Sequence, residues 1–471
     1  MENRLPIGLL NRRDLLRVGS LSIAASTLPS ALVAHNDSSG KKSAAKSVIY
    51  LWMGGGVTHI DSFDPKPDAP EEIRGTLSDI QTSLPGVRFS EVMPNLAIIA
   101  DQLAVVRSFS HDSDDHLLSQ AYTLSGRKVD RNGLFSEPNI GSLVSHLLGP
   151  RNGLPGYIAV PGITRPGPPP HDLFVGGWMG SQYKPYCLGG LPNPADFTVG
   201  EKLADPPPEA TEELRPRSLK LSSEVSLARL NRRANLRESF DTALNKLESL
   251  DALVGTEGQY QNAMRLLNTP QIRDAFDLSQ ENDQIRDSYG KTKIGGRCLM
   301  ARRLVEAGAR FVMVDYGYDP DYGNLWDNHA VESQKQPHIS EMCRRGYHLA
   351  GMDKAFAALI TDLSTRGMLE STLVVFLTEF GRTPRINRNG GRDHWGNAGS
   401  IFFTGGGTKV GQVIGKTDKQ ASSPITHRYS PADVAATIYA ALGIDSRQFV
   451  RDFQNRPRPV LDDGRPIAEL F

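Results

Sequence analysis

Short apolar runs alternate along the chain with segments whose apolar residues recur at helical spacing. Apolar runs bounded by glycine or polar clusters predict buried strands, and a recurrence of three to four residues predicts amphipathic helices. A capping box at Ser430 marks the start of one helix, which we expect to reach Leu442. The other predicted helices cover 96–101, 117–125, 297–307 and 352–366, and the predicted strands cover 48–53, 103–107, 157–160, 310–315, 372–378 and 401–404.

This alternation predicts an α/β fold. Continuous apolar strands are typical of a doubly wound, mostly parallel sheet with helices on both faces. The alternation of predicted strands and helices stops at about residues 161–290. Residues 161–215 are rich in proline and glycine, and residues 221–290 are charge-rich with leucines at helical spacing. We interpret this stretch as a loop- and helix-rich insertion, with two or three surface helices, in a domain covering residues 47–471.

The first 46 residues differ from the rest. Arg12 and Arg13 precede an uncharged, mildly apolar stretch at 18–34, which a polar linker follows. A basic segment before a short apolar stretch is typical of a signal peptide, and paired arginines are typical of the Tat route. The alternative is a chance Arg-Arg pair before an amphipathic helix. We expect a Tat-type signal and linker over residues 1–46, with cleavage near Ala34 or Ala45 left open, and a periplasmic or extracellular protein.

Composition narrows the class of protein. The 53 Lys and Arg residues balance 53 Asp and Glu residues, which gives no support to a general nucleic-acid binder. No run of 18 apolar residues occurs, so the sequence predicts no transmembrane span. The 3 cysteines lack CxxC spacing, which excludes a zinc knuckle or a thioredoxin-like motif.

Histidines and carboxylates gather directly after four predicted strands. In open α/β sheets ligands bind beyond the carboxyl ends of the strands, so these side chains are candidates for one site. Histidine with carboxylate is a ligand set for zinc, manganese or a similar divalent ion, and several such groups can hold two ions. The candidate metal ligands are His59, Asp61, Asp64, His111, Asp327, His329, Asp393 and His394, and His116 and Glu379 lie in the same loops.

Each of these groups has an ordinary alternative interpretation. The aspartate-rich stretch SFSHDSDDH could be a polar turn that caps a helix, and a pair such as Asp393-His394 can arise by chance. Lone histidines elsewhere are expected to be solvated surface residues, namely His146, His171, His338, His348 and His427.

The motifs HIDSFDPKP, WDNH, TEFGRTP and GRDHW, together with the Tat-like leader, resemble the exported bacterial family called domain of unknown function 1501. The resemblance covers residues 48 to about 471 and implies the alkaline phosphatase and arylsulfatase superfamily. Members of that superfamily bind one or two divalent ions at strand ends. The resemblance implies ligand roles for Asp327, His329 and His394, and for Asp61 or Asp64. Glu379 falls where the superfamily has an Asp-His pair, but the next residue here is Phe380, so a second ion site is incomplete.

The resemblance also places the nucleophile position near His116. The sequence has neither a cysteine nor a serine followed by Pro-x-Arg there, so formylglycine chemistry is not expected. His116 could be a metal ligand or a histidine nucleophile, and direct attack by water stays open. Arg382 and Arg392 could hold a phosphate or sulfate by forked hydrogen bonds, or could form ion pairs with Glu379 or Asp393.

These observations predict an exported metal-dependent hydrolase of phosphate or sulfate esters that is not of the formylglycine type. We expect catalytic roles for His116, Arg382 and Glu379, and one or two divalent ions, with zinc preferred over manganese or calcium. The expected substrate is a small-molecule or glycan ester. One alternative is a non-catalytic or single-metal protein that binds glycans or anions on the same fold, and a phosphoryl-moving isomerase or transferase is a third option.

Overall fold

A mixed eight-stranded sheet forms the centre of the protein. The structure is a computed structural model, and it describes residues 45–162, 173–189, 214, 269–319, 322–332 and 336–471. All six predicted strands are present, and the sequence did not predict β4 or β8. The strands are β1 Ser47–Trp52, β2 Ala104–Phe109, β3 Tyr157–Val160, β4 Tyr186–Cys187, β5 Phe311–Asp315, β6 Thr372–Leu377, β7 Gly399–Gly405 and β8 Gln412–Ile414.

The strand order β8-β2-β7-β6-β1-β5-β3-β4 confirms a doubly wound, mostly parallel sheet. The exception is β7, which runs antiparallel to β2 and to β6. At the centre, the last residue of β1, Trp52, lies opposite Leu377 of β6 and Asp315 of β5. The carboxyl ends of these central strands therefore meet at one edge, where the sequence predicted the ligand-bearing loops.

Helices cover both faces of the sheet, as predicted. Successive side chains of a strand point to opposite faces. Ile49 and Leu51 of β1 belong to one buried cluster, with residues of the helices Lys293–Glu306 and Leu349–Thr365. Val48 and Tyr50 belong to another, with residues of the helices Ile140–Leu148 and Pro431–Ala441. The helices are α1 Glu71–Arg74, α2 Pro94–Ile98, α3 His116–Ser125, α4 Ile140–Leu148, α5 Pro270–Ala275, α6 Asp283–Ser288, α7 Lys293–Glu306, α8 Ile339–Arg344, α9 Leu349–Thr365 and α10 Pro431–Ala441.

Among the described residues, four small two-stranded sheets lie outside the central sheet, and one of them follows β6. In it, Gly381–Arg382 pairs antiparallel with His394–Trp395, so that Arg382 lies directly opposite His394. The other pairs are Asp79–Gln81 with Arg88–Ser90, Tyr318–Asp319 with Gly323–Asn324, and Phe449–Arg451 with Pro457–Pro459.

Several expectations fall on parts of the chain that are not described. The signal and linker at residues 1–46 lie almost wholly outside the described residues, as does most of the insertion expected at 161–290. Within the part of the chain that is described, no helix is long and apolar enough to cross a membrane.

Candidate metal centre

Four side chains from different parts of the chain meet beyond the carboxyl edge of the sheet. His116 is the first residue of α3, whose N-cap Asp115 accepts a hydrogen bond from the backbone N–H of Leu118 at 3.1 Å. The loop after β5 carries the second and third side chains, and the small sheet after β6 carries the fourth. The four residues are His116, Asp327, His329 and His394, and their ligand atoms all lie within 4.8 Å of one another.

One carboxylate oxygen, Asp327 Oδ1, lies at the centre of this cluster. The Nε2 atoms of His116 and His329 are each 3.0 Å from it, and that of His394 is 3.1 Å away. The Nε2 atoms of His329 and His394 are 2.9 Å apart. Three imidazoles and one carboxylate thus direct their donor atoms toward the same small volume.

The opposite nitrogen of each imidazole fixes its tautomer. The Nδ1 atoms lie 2.8 Å from Glu379 Oε1 for His116, 2.7 Å from Asp393 Oδ1 for His329, and 2.8 Å from the backbone oxygen of Asp114 for His394. Carboxylates and carbonyls only accept, so each Nδ1 carries a hydrogen. With a cation in the cluster each Nε2 would present a lone pair to it, and without one a protonated imidazole donates from Nε2 to Asp327 Oδ1. Metal-binding histidines are held in this way in proteins. The donor set therefore fits a divalent cation, and tetrahedral zinc in particular.

Glu379 is fully buried behind His116. The backbone N–H of Gly55 donates to both of its oxygens at 2.8 Å. Burial by itself would raise the pKa of Glu379, but the hydrogen bond and charge of His116 and the Gly55 bond outweigh it and lower that pKa to about 2. A side chain at Gly55 would collide with Trp326, since an added Cβ would come within 2.9 Å of it. Glycine at position 55 thus lets the backbone pass close to Trp326 while its N–H donates to the ionised Glu379.

The shared carboxylate is held strongly in its ionised form. Burial would raise the pKa of Asp327, but hydrogen bonds from His116, His329 and His394 and the charge of Arg382 lower it well below its ordinary value. The Asp327 hydrogen bond is in turn the largest cause of the raised pKa of His329. A proton or a cation in the cluster relieves the repulsion between these lone pairs, and metal binding at such sites displaces protons.

Arg382 is buried beside Asp327, with its guanidinium turned toward the backbone. Its Nη2 donates to Asp327 Oδ1 at 2.8 Å and to the backbone oxygen of Trp326 at 2.9 Å, and it also contacts Gly55 O. Its Nε donates to Gly56 O at 2.8 Å. The forked clamp on a substrate oxyanion expected from sequence does not fit this geometry, because each guanidinium nitrogen already donates to the protein, Nη1 to Arg392 O at 3.2 Å.

The WDNH loop is hydrogen-bonded to His348, the residue directly before α9. Asn328 donates from Nδ2 to Leu325 O at 3.0 Å, and its Oδ1 lies 2.9 Å from His348 Nε2. The sequence-based expectation that His348 is a solvated surface residue was wrong: it is fully buried, and burial lowers its pKa to about 3. It lies directly before α9, and sequence periodicity carried no signal that a residue preceding a helix would support the ligand loop.

Four of the candidate ligands lie elsewhere and have other partners. Asp61 forms a buried ion pair with Arg392, with Nε–Oδ2 at 2.7 Å, which replaces the Arg392 pairings with Glu379 or Asp393 weighed from sequence. Asp64 lies 2.9 Å from Lys66 Nζ. His59 Nε2 lies 2.8 Å from Ala421 O, and His111 Nε2 contacts Glu379 O. None of the four belongs to the metal-type cluster found in the described residues.

A pocket opens beside the cluster and shares His116 and Asp327 with it. Trp52, Phe174 and Tyr318 contribute aromatic rings to its wall. A ligand in the pocket would therefore lie next to two of the four residues of the cluster.

Comparison with known proteins gives one family match and several distant structures. No curated protein matches the sequence. The PsFucS1 sulfatase from Pseudoalteromonas sp. is 13% identical with a TM-score of 0.38, over 85% of this chain and 68% of that chain. A phosphonate monoester hydrolase from Silicibacter pomeroyi is 11% identical with a TM-score of 0.38, over 90% of this chain and 76% of that chain. A mutant of TAB5 alkaline phosphatase is 10% identical with a TM-score of 0.37, over 86% of this chain and all 100% of that chain.

The family model described as "Protein of unknown function (DUF1501)" matches residues 45–471. This is the family that the HIDSFDPKP, WDNH, TEFGRTP and GRDHW motifs resemble, and the match covers the chain from residue 45 to residue 471. The protein therefore belongs to the DUF1501 family.

Proposed function

We propose that this protein is a divalent-metal-dependent hydrolase of phosphate or sulfate esters. The observation that carries the proposal is the convergence of three Nε2 atoms on the carboxylate of Asp327, with every Nδ1 atom held by an acceptor. Zinc is the ion that this donor set favours, and manganese is the alternative. We propose one ion, because a single group of this kind occurs among the described residues.

The residues around the proposed ion have two roles: some would bind it directly, and others would orient those ligands. His116, Asp327, His329 and His394 would hold the ion, and Glu379 and Asp393 would orient two of the imidazoles and make them more basic. Arg382 would fix the orientation of the Asp327 carboxylate, with no direct contact to the substrate. An ion held here would polarise an ester oxygen and lower the pKa of a water molecule toward neutrality.

His116 is proposed as a ligand, and the role of nucleophile weighed for it from sequence is set aside. Its Nε2 faces Asp327 Oδ1 at 3.0 Å and its Nδ1 faces Glu379 at 2.8 Å, so both ring nitrogens are engaged. Water is then the attacking group. We further propose that the protein works in the periplasm or outside the cell, on the strength of the twin-arginine leader.

A metal-holding protein that binds anions or glycans without turnover is the second candidate. Phe380 favours it, because this ring lies where the superfamily resemblance implied a further histidine. The ring centroid of Phe380 is 5.0 Å from that of His116 and 4.9 Å from that of His394, so an apolar group covers this side of the cluster.

Elemental analysis and an ester screen test the proposal together. Protein purified without chelator should contain about one equivalent of zinc or manganese, in keeping with a four-ligand site. We expect it to hydrolyse p-nitrophenyl phosphate or p-nitrophenyl sulfate, to lose that activity on chelation and to regain it with the ion. A folded protein without metal would contradict the metal centre. A metal-loaded protein that binds sulfate without turnover would favour the second candidate.

A further prediction concerns Glu379, which touches the ion only through His116. Glu379→Gln keeps the shape of the side chain but removes the charge that holds Nδ1–H of His116. Losses of about 10- to 100-fold in metal affinity are typical of such outer residues. Competition with a chromophoric chelator measures the change, and the exposed Glu370→Gln is the matched control. An unchanged metal affinity in Glu379→Gln would contradict the role proposed for Glu379 in orienting His116.

A further inference from the structure

The hairpin of residues 449–459, near the end of the chain, turns two phenylalanine rings toward solvent. Phe449 is 69% exposed and Phe453 is 51% exposed, whereas Val450 and Asp452 between them are buried. Successive side chains of an extended strand point to opposite faces. The two rings therefore lie on the outer face of the hairpin, and large exposed apolar groups that lie together are typical of interaction sites.

Two arginines alternate with these rings. Arg447 and Arg451 are exposed, so arginine and phenylalanine take turns at every second residue from 447 to 453. We call Arg447, Phe449, Arg451 and Phe453 the Arg-Phe face. Arg447 is 90% exposed beside Asp445, while Arg451 donates to a backbone oxygen at 2.8 Å, which does not neutralise its charge.

The buried carboxylate of Asp452 holds the turn of this hairpin in place. It accepts hydrogen bonds from the backbone N–H groups of Gln454 and Arg456, each at 2.9 Å, and from Arg456 Nε at 2.8 Å. The backbone N–H of Phe453 donates to Trp178 O at 3.1 Å, and Trp178 is part of the buried core. The negative charge of Asp452 thus points inward, while Arg456 is 55% exposed.

The chemistry of the Arg-Phe face favours a lipid surface over a protein partner. A second copy of this chain would bring four arginines of like charge into one contact, which is unfavourable. Peptide partners are commonly held in grooves or along sheet edges, whereas these rings stand on the outside of a hairpin. A bilayer surface accepts projecting aromatic rings among its acyl chains, and its anionic headgroups attract arginine.

We propose that the Arg-Phe face docks the protein on an anionic lipid surface. The rings of Phe449 and Phe453 insert at the boundary between headgroups and acyl chains, and Arg447 and Arg451 bind lipid phosphates. The docking is peripheral and uses no spanning segment. It does not depend on the metal centre or on the proposed function.

Sedimentation of the full-length protein with lipid vesicles tests the proposal. We expect it to bind phosphatidylcholine vesicles that contain phosphatidylglycerol and to bind pure phosphatidylcholine vesicles much more weakly. Phe449→Ala and Phe453→Ala should each bind about tenfold more weakly, because each loses a buried ring. Arg451→Gln should bind about fivefold more weakly. The controls, Ile98→Ala at a site 72% exposed and Arg286→Gln at a site 46% exposed, should bind like the wild type.

A second measurement reports insertion at one position and is independent of any binding by the leader, which all variants share. Phe449→Trp should add tryptophan fluorescence that lipids with brominated acyl chains quench. Ile98→Trp is the control, and its added fluorescence should be unaffected by these lipids. Equal quenching of the two variants, or phenylalanine variants that bind like the wild type, would overturn the proposal.

Two further results would assign the Arg-Phe face to another partner and also overturn the proposal. A dimer in analytical ultracentrifugation that dissociates in Phe449→Ala would assign the face to a second copy of the chain. A lower unfolding temperature in Phe449→Ala than in Ile98→Ala would show that the Phe449 ring packs against another part of the same chain.

Discussion

Asp327→Ala and His329→Ala should each lower the affinity for zinc by more than about 100-fold and abolish ester hydrolysis. Replacing residues that only support a ligand costs 10- to 100-fold, and loss of the ligand itself should cost more. We expect the larger loss of zinc affinity in Asp327→Ala, because Asp327 Oδ1 contacts three imidazoles and Arg382. Elemental analysis and chelator competition measure the metal, and initial rates measure the activity.

His329→Ala should stay folded, because His329 lies partly exposed in a loop at the edge of the sheet. Asp327→Ala also removes the carboxylate partner of the buried Arg382, at a cost of about 3–5 kcal/mol, so circular dichroism must show that this variant is folded before its metal is measured. Arg382 keeps its bonds to the backbone oxygens of Gly56 and Trp326 when the Asp327 carboxylate is removed. Asp112→Ala is a matched control, since this carboxylate follows β2 but is 71% exposed and paired with Lys128. Full metal content in Asp327→Ala would refute the assignment of the cluster.

Asp61→Asn should lose much of its stability and yet keep a normal metal content. The Asp61–Arg392 pair is 0% exposed on both sides. Removing one partner of a buried ion pair leaves an uncompensated charge and costs about 3–5 kcal/mol. Guanidinium unfolding measures the change in the free energy of unfolding, and elemental analysis measures the metal.

The control for this prediction is Asp445→Asn, in an ion pair with Arg447 whose side chains are 57% and 90% exposed. Exposed pairs of this kind contribute about 0–1 kcal/mol, so we expect little change in stability. If Asp61→Asn lost its metal while its unfolding free energy stayed unchanged, the ligand role considered for Asp61 from sequence would be restored.

Much of the sheet could be predicted from local pattern. The strand expected at 157–160 is Tyr157–Val160 in the structure, and the one expected at 372–378 is Thr372–Leu377. Their apolar character reflects burial on both faces, which the sequence records directly. Tyr186–Cys187 and Gln412–Ile414 escaped prediction because strands of two or three residues at the sheet edges leave almost no periodic signal.

The candidate site was predictable only as a region. Ligand loops were expected after the strands, and Asp327, His329, His394 and His116 do lie together there. The same reasoning could not separate them from Asp61, which also follows a strand and is also an aspartate. What distinguishes the two aspartates is the partner each meets, and Arg392 is 331 residues from Asp61 along the chain.

The sequence by itself determined the α/β class, the two-faced sheet and the edge at which polar loops gather, because burial and strand period are local properties of the chain. Its motifs also identified the family. Only the tertiary structure decided which histidines face one another, that Arg382 turns toward backbone carbonyls, and that Asp61 pairs with Arg392. These outcomes depend on which distant segments meet at the sheet edge. Hydrogen bonds and ion pairs form between such segments, and they leave no periodic pattern in the sequence of either segment.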